Sequence, residues 1–267
     1  MTLFQLLLVA VIQGITEFLP VSSSGHLILL PNLTGAQDQG LAIDIAVHLG
    51  TLFAVILYFW SDVKEALVGL PRLVRGKVDT KGAFLALCLI IATIPAVIVG
   101  LIIKVTGLDE VFRSVVVIGW TTLLFGLLLL WTDRKGAVDR KAEEWTIKHA
   151  VFMGLAQCLA LIPGTSRSGI TITAARHLGY DRQGSARLAM LMSIPIILAS
   201  GAVLSLDVVG QANWDLAKDA SIAAGFAFVA ALLALKLMFQ LLKSVSFTPY
   251  VIYRVFLGLA LLVWAYA

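Results

Sequence analysis

Six apolar runs divide the chain: Leu41–Trp60, Ala83–Ile103, Ser114–Trp131, Leu188–Leu206, Ser221–Leu242 and Pro249–Ala267. Each is close to the ~20 residues a helix needs to cross a bilayer. Two further stretches, 1–35 and 150–187, are equally apolar at their ends but broken in the middle, by Pro20 to Gly25 and by Pro163 to Gly169. Each reads either as one interrupted span or as a hairpin that enters and leaves by one face. Pro95 and Pro195 fall inside spans, where local kinks account for them.

Positive charge separates the two readings. No Lys or Arg precedes Lys64, whereas 61–82 holds Lys64, Arg72, Arg75, Lys77 and Lys81, and 132–149 holds Arg134, Lys135, Arg140, Lys141 and Lys148. Short Lys/Arg-rich connections stay cytoplasmic. If 150–187 returns to the cytoplasm, Arg176, Arg182 and Arg187 stay inside and the 207–220 stretch, with only Lys218, falls outside. By the same logic 1–40 hangs from the outer face. The fold expected is an all-α polytopic membrane protein built as an inverted repeat. The first repeat is 1–131 (hairpin 1–35; spans 41–60, 83–103 and 114–131) and the second is 150–267 (hairpin 150–187; spans 188–206, 221–242 and 249–267). Three spans per half turn the second half upside down, so the hairpin tips approach each other near the midplane. Irregular backbone is tolerated there only against protein or a watery cavity.

Composition agrees. The chain is 60% hydrophobic and 13% charged, against about 25% charged in a soluble domain, and its mean hydropathy is +0.96. The net charge of +4 is loop charge facing a membrane and leaves no nucleic-acid footprint. Cys88 and Cys158 lie in separate apolar runs and read as buried thiols rather than a disulfide. A removable signal peptide is not expected, since residues 1–12 contain no Lys or Arg and no small-residue cleavage pattern follows.

The breaks themselves are related. The first reads Gln13-Gly-Ile-Thr-Glu17-Phe-Leu-Pro20-Val-Ser22-Ser23-Ser24-Gly25-His26, the second Gln157-Cys-Leu-Ala-Leu-Ile-Pro163-Gly-Thr165-Ser166-Arg167-Ser168-Gly169. A constant shift of 144 residues lays Gly25 on Gly169, Gln13 on Gln157, Ser22 on Ser166 and Ser24 on Ser168. Gln13 and Glu17 share a helix face at i, i+4, where two oxygens can hold Mg²⁺ or Ca²⁺ with phosphate oxygens completing the shell. The bland reading is a pair that braces the hairpin. A carboxylate this deep in an apolar run favours function. Ser22, Ser23, Ser24, Thr165, Ser166 and Ser168 precede fresh helices, where hydroxyls serve as ordinary N-caps and backbone N–H groups also bind anions. Arg167 tips the balance toward phosphate, although a pair with Glu17 competes. His26, beside Glu17 and the serines, suits acid–base or covalent chemistry. His48 reads as structural, and His149 and His177 as solvated.

These residues resemble the undecaprenyl-diphosphate phosphatase family of bacteria, the bacitracin-resistance type. Its first motif is matched from Gln13 to His26 and its second from Pro163 to Gly169. His48-Leu-Gly-Thr51 and Thr248-Pro-Tyr-Val-Ile-Tyr253-Arg254 also look typical, so the resemblance covers nearly the whole chain. It implies a multi-pass protein of the bacterial cytoplasmic membrane that takes the terminal phosphate from undecaprenyl diphosphate, recycling the carrier lipid for cell-wall synthesis. It also implies divalent-metal dependence and a site open to the outside. Carried over, Gln13 and Glu17 hold the metal, Arg167 the diphosphate, and His26 with a first-loop serine the chemistry. Gln13 stands where many relatives have Glu. A flippase of undecaprenyl phosphate on the same fold is the rival, though it has little use for His26 beside serines. A second lipid-phosphatase type is echoed by Ser24-Gly25-His26 and Ser166-Arg167, but its other motifs are missing. The sequence leaves open the nucleophile (serine, His26 or water), the choice of cation and the number of subunits.

Overall fold

The computed structural model describes residues 2–34, 39–108, 112, 114–208 and 214–267. Residues 1 and 35 of the first hairpin, and 36–38 and 209–213 of the connections read as outward-facing, lie outside the described residues. The described chain forms α1 (Leu3–Thr16), α2 (Ser23–Thr34), α3 (Leu41–Tyr58), α4 (Trp60–Val74), α5 (Lys81–Thr106) and α6 (Val115–Lys135). It continues with α7 (Ile147–Gln157), α8 (Arg167–His177), α9 (Arg182–Val208), α10 (Trp214–Leu241) and α11 (Thr248–Tyr266). Six of these, α3, α5, α6, α9, α10 and α11, are long and apolar enough to cross a membrane, and they coincide with the six runs read from the sequence. The protein is an all-helical, polytopic membrane protein. Both cysteines are free thiols.

Local chemistry sets the helix ends. The Thr2 hydroxyl and the Gln5 side chain cap α1 reciprocally, Thr80 caps α5 and Thr146 caps α7, and α11 begins with a proline in its first turn. α6 runs on past Trp131 to Lys135, because Arg134 and Lys135 in its last turn suit the helix C-terminus. The 61–82 stretch departs from the expected loop. Residues Trp60–Val74 are helical, with charged and apolar residues on different sides, so Trp60 opens α4 instead of closing the preceding span. Counting its basic residues hid the 3.6-residue period underneath.

The second broken segment doubles back on itself. A buried cluster joins its far end to the connection it started from. Asp133 Oδ1 accepts from Arg176 Nε (3.1 Å) and Arg182 Nε (2.8 Å), and its Oδ2 accepts from the Phe247 N–H (3.2 Å). The guanidinium of fully buried Arg176 also donates to the carbonyls of Asp133, Gly136, Ala137 and Tyr180. Arg187 pairs with Asp62 of α4 and with Glu143. Arg176, Arg182 and Arg187 are therefore not free loop charges but the ties that gather three basic connections at one end of the bundle. His149, expected to be solvated, is half-buried with Nδ1 2.7 Å from the Tyr180 hydroxyl. Burial pushes that hydroxyl up to about 12, so it stays protonated and donates to the Glu144 carbonyl at 3.2 Å. His177 is exposed but stacks between Trp131 and Phe152.

Around these breaks the helices pack in related pairs. α1 lies against α10 and α7 against α5; α3 lies against α10 and α5 against α9; α3 meets α9 and α6 meets α11. With Cys88 and Cys158 replaced by serine, a cysteine at Asp215 is expected to label from outside with an impermeant maleimide, whereas cysteines at Lys77 and Gln183 label only after the membrane is opened. Outside labelling at Gln183 would place the end of the second broken segment across the bilayer from Lys77.

Candidate functional site

The two breaks have one geometry. Ser22 has φ of 73° and Ser166 has φ of 70°, and they are the non-glycine residues with positive φ among those described. Serine rarely adopts this left-handed conformation, which costs about 1–3 kcal/mol per residue and persists only where the surroundings impose it. In both turns the serine hydroxyl lies against the serine two residues on (Ser22–Ser24 3.4 Å; Ser166–Ser168 3.2 Å). The same hydroxyl accepts from a glycine N–H, Gly25 at 3.4 Å and Gly169 at 3.1 Å. The shift of 144 residues seen in the sequence is therefore a repetition of backbone conformation as well.

Irregular backbone at this depth exposes carbonyls that helix geometry no longer satisfies. Arg254 of α11, fully buried, meets them. Its Nη2 donates to Gly164 O (3.0 Å), Thr165 O (2.9 Å) and Thr121 O (3.4 Å), its Nη1 to Pro20 O (3.3 Å), and its Nε to Thr122 O (3.0 Å). One guanidinium thus holds both turns against α6. Ser168 Oγ adds a direct link to Leu19 O at 2.9 Å, and the Thr121 hydroxyl donates to Pro163 O at 2.6 Å. Gly164 sits so tightly on α6, at φ of 88°, that a Cβ there would fall 2.2 Å from Thr121 Oγ1.

At the centre lies Glu17, buried and fully coordinated. It accepts from Gln13 Nε2 (2.8 Å) and Ser23 Oγ (2.6 Å) at Oε2, and from Arg167 Nη2 (2.8 Å) at Oε1. His48 Nε2 lies 3.8 Å from Oε2, and its Nδ1 is fixed at 2.7 Å from Asp44 O. Around this centre several buried polar atoms have no partner: Gln13 Oε1, Gln157 Oε1, Thr165 Oγ1 and Arg167 Nη1. Unmet buried polar groups are uncommon in folded proteins, and a ligand is one explanation for a cluster of them.

A cavity of about 510 Å³ opens here. One end is polar, formed by Glu17, Ser22, Ser23, Ser24, Ser166 and Arg167 with His48 and Gln157, whereas the rest runs between mainly apolar sides of α5 (Ala96 to Lys104) and α9 (Ile196 to Leu204), with Lys104 and Ser200 as its polar members. Of the residues singled out in the sequence, Gln13, Thr165 and Ser168 stand behind the lining. His26 is also absent from the lining. Its Nδ1 is 2.7 Å from Ser22 O and its Nε2 is 2.5 Å from the Tyr253 hydroxyl, against which the ring stacks. A carbonyl only accepts, so Nδ1 carries the proton and Nε2 receives the tyrosine O–H. Three contributors escaped the sequence reading: His48, taken as structural, and Gln157 and Arg254, which had no role. The only signal for His48 and Arg254 was their place in family-like stretches; Gln157 was marked by its alignment with Gln13.

Comparison with known proteins now bears on this geometry. The model of the family described as bacitracin resistance protein BacA matches residues 6–260. A Roseobacter denitrificans protein named undecaprenyl-diphosphatase is 73% identical over 267 residues, covering 100% of both chains. Proteins of that name from Dinoroseobacter shibae (66% identical, 100% of both chains) and Aliivibrio salmonicida (44% identical, 99% of this chain and 98% of that one) match as well.

Arg254→Leu strands carbonyls of both turns, and with each unmet buried group costing about 1–3 kcal/mol the variant is expected to lose at least ~3 kcal/mol of stability, read as a lower unfolding temperature in detergent. Arg254→Lys should recover little, because an ammonium cannot span five acceptors held by a planar fork. Parent-like melting of both would show that other bonds hold the turns.

Proposed function

The chain belongs to the bacitracin resistance protein BacA family, and on that premise we propose that it hydrolyses undecaprenyl diphosphate to undecaprenyl phosphate and inorganic phosphate, recycling the carrier lipid for cell-wall synthesis and so conferring bacitracin resistance. The observation that carries this reading is the unpaired, buried Nη1 of Arg167 beside a cavity that is polar at one end and mainly apolar along the rest. That is the shape of an anionic headgroup on a hydrocarbon chain. Arg167 has spent Nη2 on Glu17 and still presents donors to a phosphate, for which its fork is suited. The N-terminus of α8 completes an anion-binding turn, which Ser166 and Ser168 brace from within through Gly169 N and Leu19 O.

Ser23 is the nucleophile this arrangement favours. Ser22 is occupied in capping the turn, whereas the Ser23 hydroxyl already donates to a carboxylate at 2.6 Å. Ser23 Oγ attacks the terminal phosphorus as its proton passes to Glu17. The bond from that phosphorus to the bridging oxygen breaks, and the departing lipid phosphate takes the proton from Glu17. Water then attacks the phosphoserine, Ser23 Oγ leaves and is reprotonated through Glu17, and inorganic phosphate departs. His26 works from behind, fixing the Ser22 carbonyl and anchoring α2 to α11 through Tyr253.

A divalent cation, Mg²⁺ or Ca²⁺, fits as a partner shared with the substrate. Among the described residues no cluster of three or more His, Cys, Asp or Glu side chains forms a closed metal site. Gln13 Oε1 is unmet, however, and turning that amide over, at no change of shape, would set an oxygen beside Glu17. Gln13, Glu17 and Ser23 would then hold the ion together with phosphate oxygens. When bound, it would offset charge on the diphosphate.

The inverted repeat is the architecture we favour. Its support is the pairing of α1 with α10 and of α7 with α5, together with two serine turns of one conformation. Two hairpins would meet from opposite faces in the cytoplasmic membrane, with the site toward the outside. A flippase of the same fold would leave the contact of Ser23 with Glu17 without a use.

Phosphate release from undecaprenyl diphosphate by purified protein tests the reading. Arg167→Lys should lose roughly 10²–10³-fold in rate, as for other transition-state donors, and Glu17→Gln roughly 10²–10⁴-fold, with both variants folding normally. Chelator should silence the parent, and Mg²⁺ or Ca²⁺ should restore it. Near-parental rates in both variants would remove the assignment.

A further inference from the structure

Gln157 has no part in the chemistry set out above. It ends α7, is 1% exposed and lines the cavity. Its Nε2 donates to the carbonyl of Ala92 in α5 at 3.3 Å. Because a carbonyl only accepts, the amide cannot be turned over without setting two oxygens against each other. Oε1 is therefore the atom left over, and it has no partner. Nor can α7 shift to supply one. Gly154, one turn earlier, is pressed so closely on α5 that a Cβ there would lie 2.6 Å from Ala92 O.

Gln157 lines the cavity and holds Oε1 just beneath its wall, where an acceptor repels a phosphate oxygen, which is itself an acceptor. It calls for a donor instead. In a hydrolytic site the donor without a protein partner of its own is the attacking water. Arg167 Nη1, the unmet donor of the same cavity, is the complement, suited to the phosphate oxygens. The two orphaned atoms divide the two reactants between them.

We propose that Gln157 is a further catalytic residue, whose Oε1 accepts one O–H of the attacking water and aims its lone pair at phosphorus. This rests on the hydrolase reading of the site. In the second step the water oxygen forms the new bond to phosphorus while the bond to Ser23 Oγ breaks. The proton facing Glu17 returns through it to Ser23, and the proton held by Gln157 stays on the phosphate released. Gln13, at the matching place in the first turn, is already engaged with Glu17, so the two related glutamines serve different ends.

Gln157→Met keeps the shape and removes the acceptor. In the full-length protein in detergent, kcat for undecaprenyl diphosphate is expected to fall roughly 10–100-fold, the worth of one such hydrogen bond in the transition state. Because only the second step is slowed, KM should fall in step with kcat so that kcat/KM holds, phosphorylated protein should accumulate, and the unfolding temperature should stay near the parental value. Inhibition by orthovanadate, whose five-coordinate form carries an apical hydroxyl in place of the water, should weaken by a similar factor. A bracing role would instead lower the unfolding temperature and leave vanadate affinity unchanged. That pattern, or an undiminished kcat, would overturn the proposal. If Gln157→Met does not fold, Gln157→Leu carries the same test. A parent that releases no phosphate would remove the hydrolase reading itself, a separate failure.

Discussion

Everything at the centre of this protein depends on the guanidinium of Arg254. Breaking two helices inside an apolar bundle leaves carbonyls with neither helix partners nor water, and each unmet group costs free energy. Arg254 answers with five N–H groups in one plane, reaching Pro20 of the first turn, Gly164 and Thr165 of the second, and Thr121 and Thr122 of α6. A cation is costly to bury, but here its charge is spread over carbonyl dipoles, so no carboxylate is needed. With the turns so fixed, Ser22 and Ser166 are held in a conformation serine seldom adopts.

A second arginine does comparable work at the far end. Arg176 is also fully buried, but it has Asp133 as well as four carbonyls. It closes the second broken segment onto its own origin, and Arg182 and Arg187 extend the tie to Asp133 and to Asp62 of α4. The polar centre around Glu17 thus hangs between two clamps. What remains adjustable is the Arg167–Glu17 contact, in which each partner is nearly buried yet lines the cavity. A nearly buried ion pair on a cavity wall suits the recognition of a charged headgroup.

Much of this was legible in the sequence. Six apolar runs located six spans because bilayer thickness fixes their length, and three of the connections in which Lys and Arg were counted meet through the Arg187 pairs with Asp62 and Glu143. The serine turns were legible because they occur twice. What was not legible depended on partners remote in sequence. Arg254 lies 90 residues from Gly164 and 234 from Pro20, and no periodicity announces such a contact. His48 looked structural because, within a span, it lacks the serines and carboxylate that accompany His26 in sequence; only folding brings Glu17 within 3.8 Å. The same limit applies to Gln157, whose unmet oxygen exists only because Ala92 claims the other end of the amide. α4 was missed for a different reason, since its basic residues were counted rather than placed on a helical wheel.

The two serine turns share a backbone but not a charge. Glu17 belongs to the first half, where its counterpart in the second is Leu161; Arg167 belongs to the second, where its counterpart in the first is Ser23. Two copies of the first half would set carboxylate against carboxylate, and two copies of the second guanidinium against guanidinium. Like charges at such a distance in a medium of low dielectric repel strongly. The ion pair at the centre therefore needs one residue from each turn, and neither broken segment carries it alone.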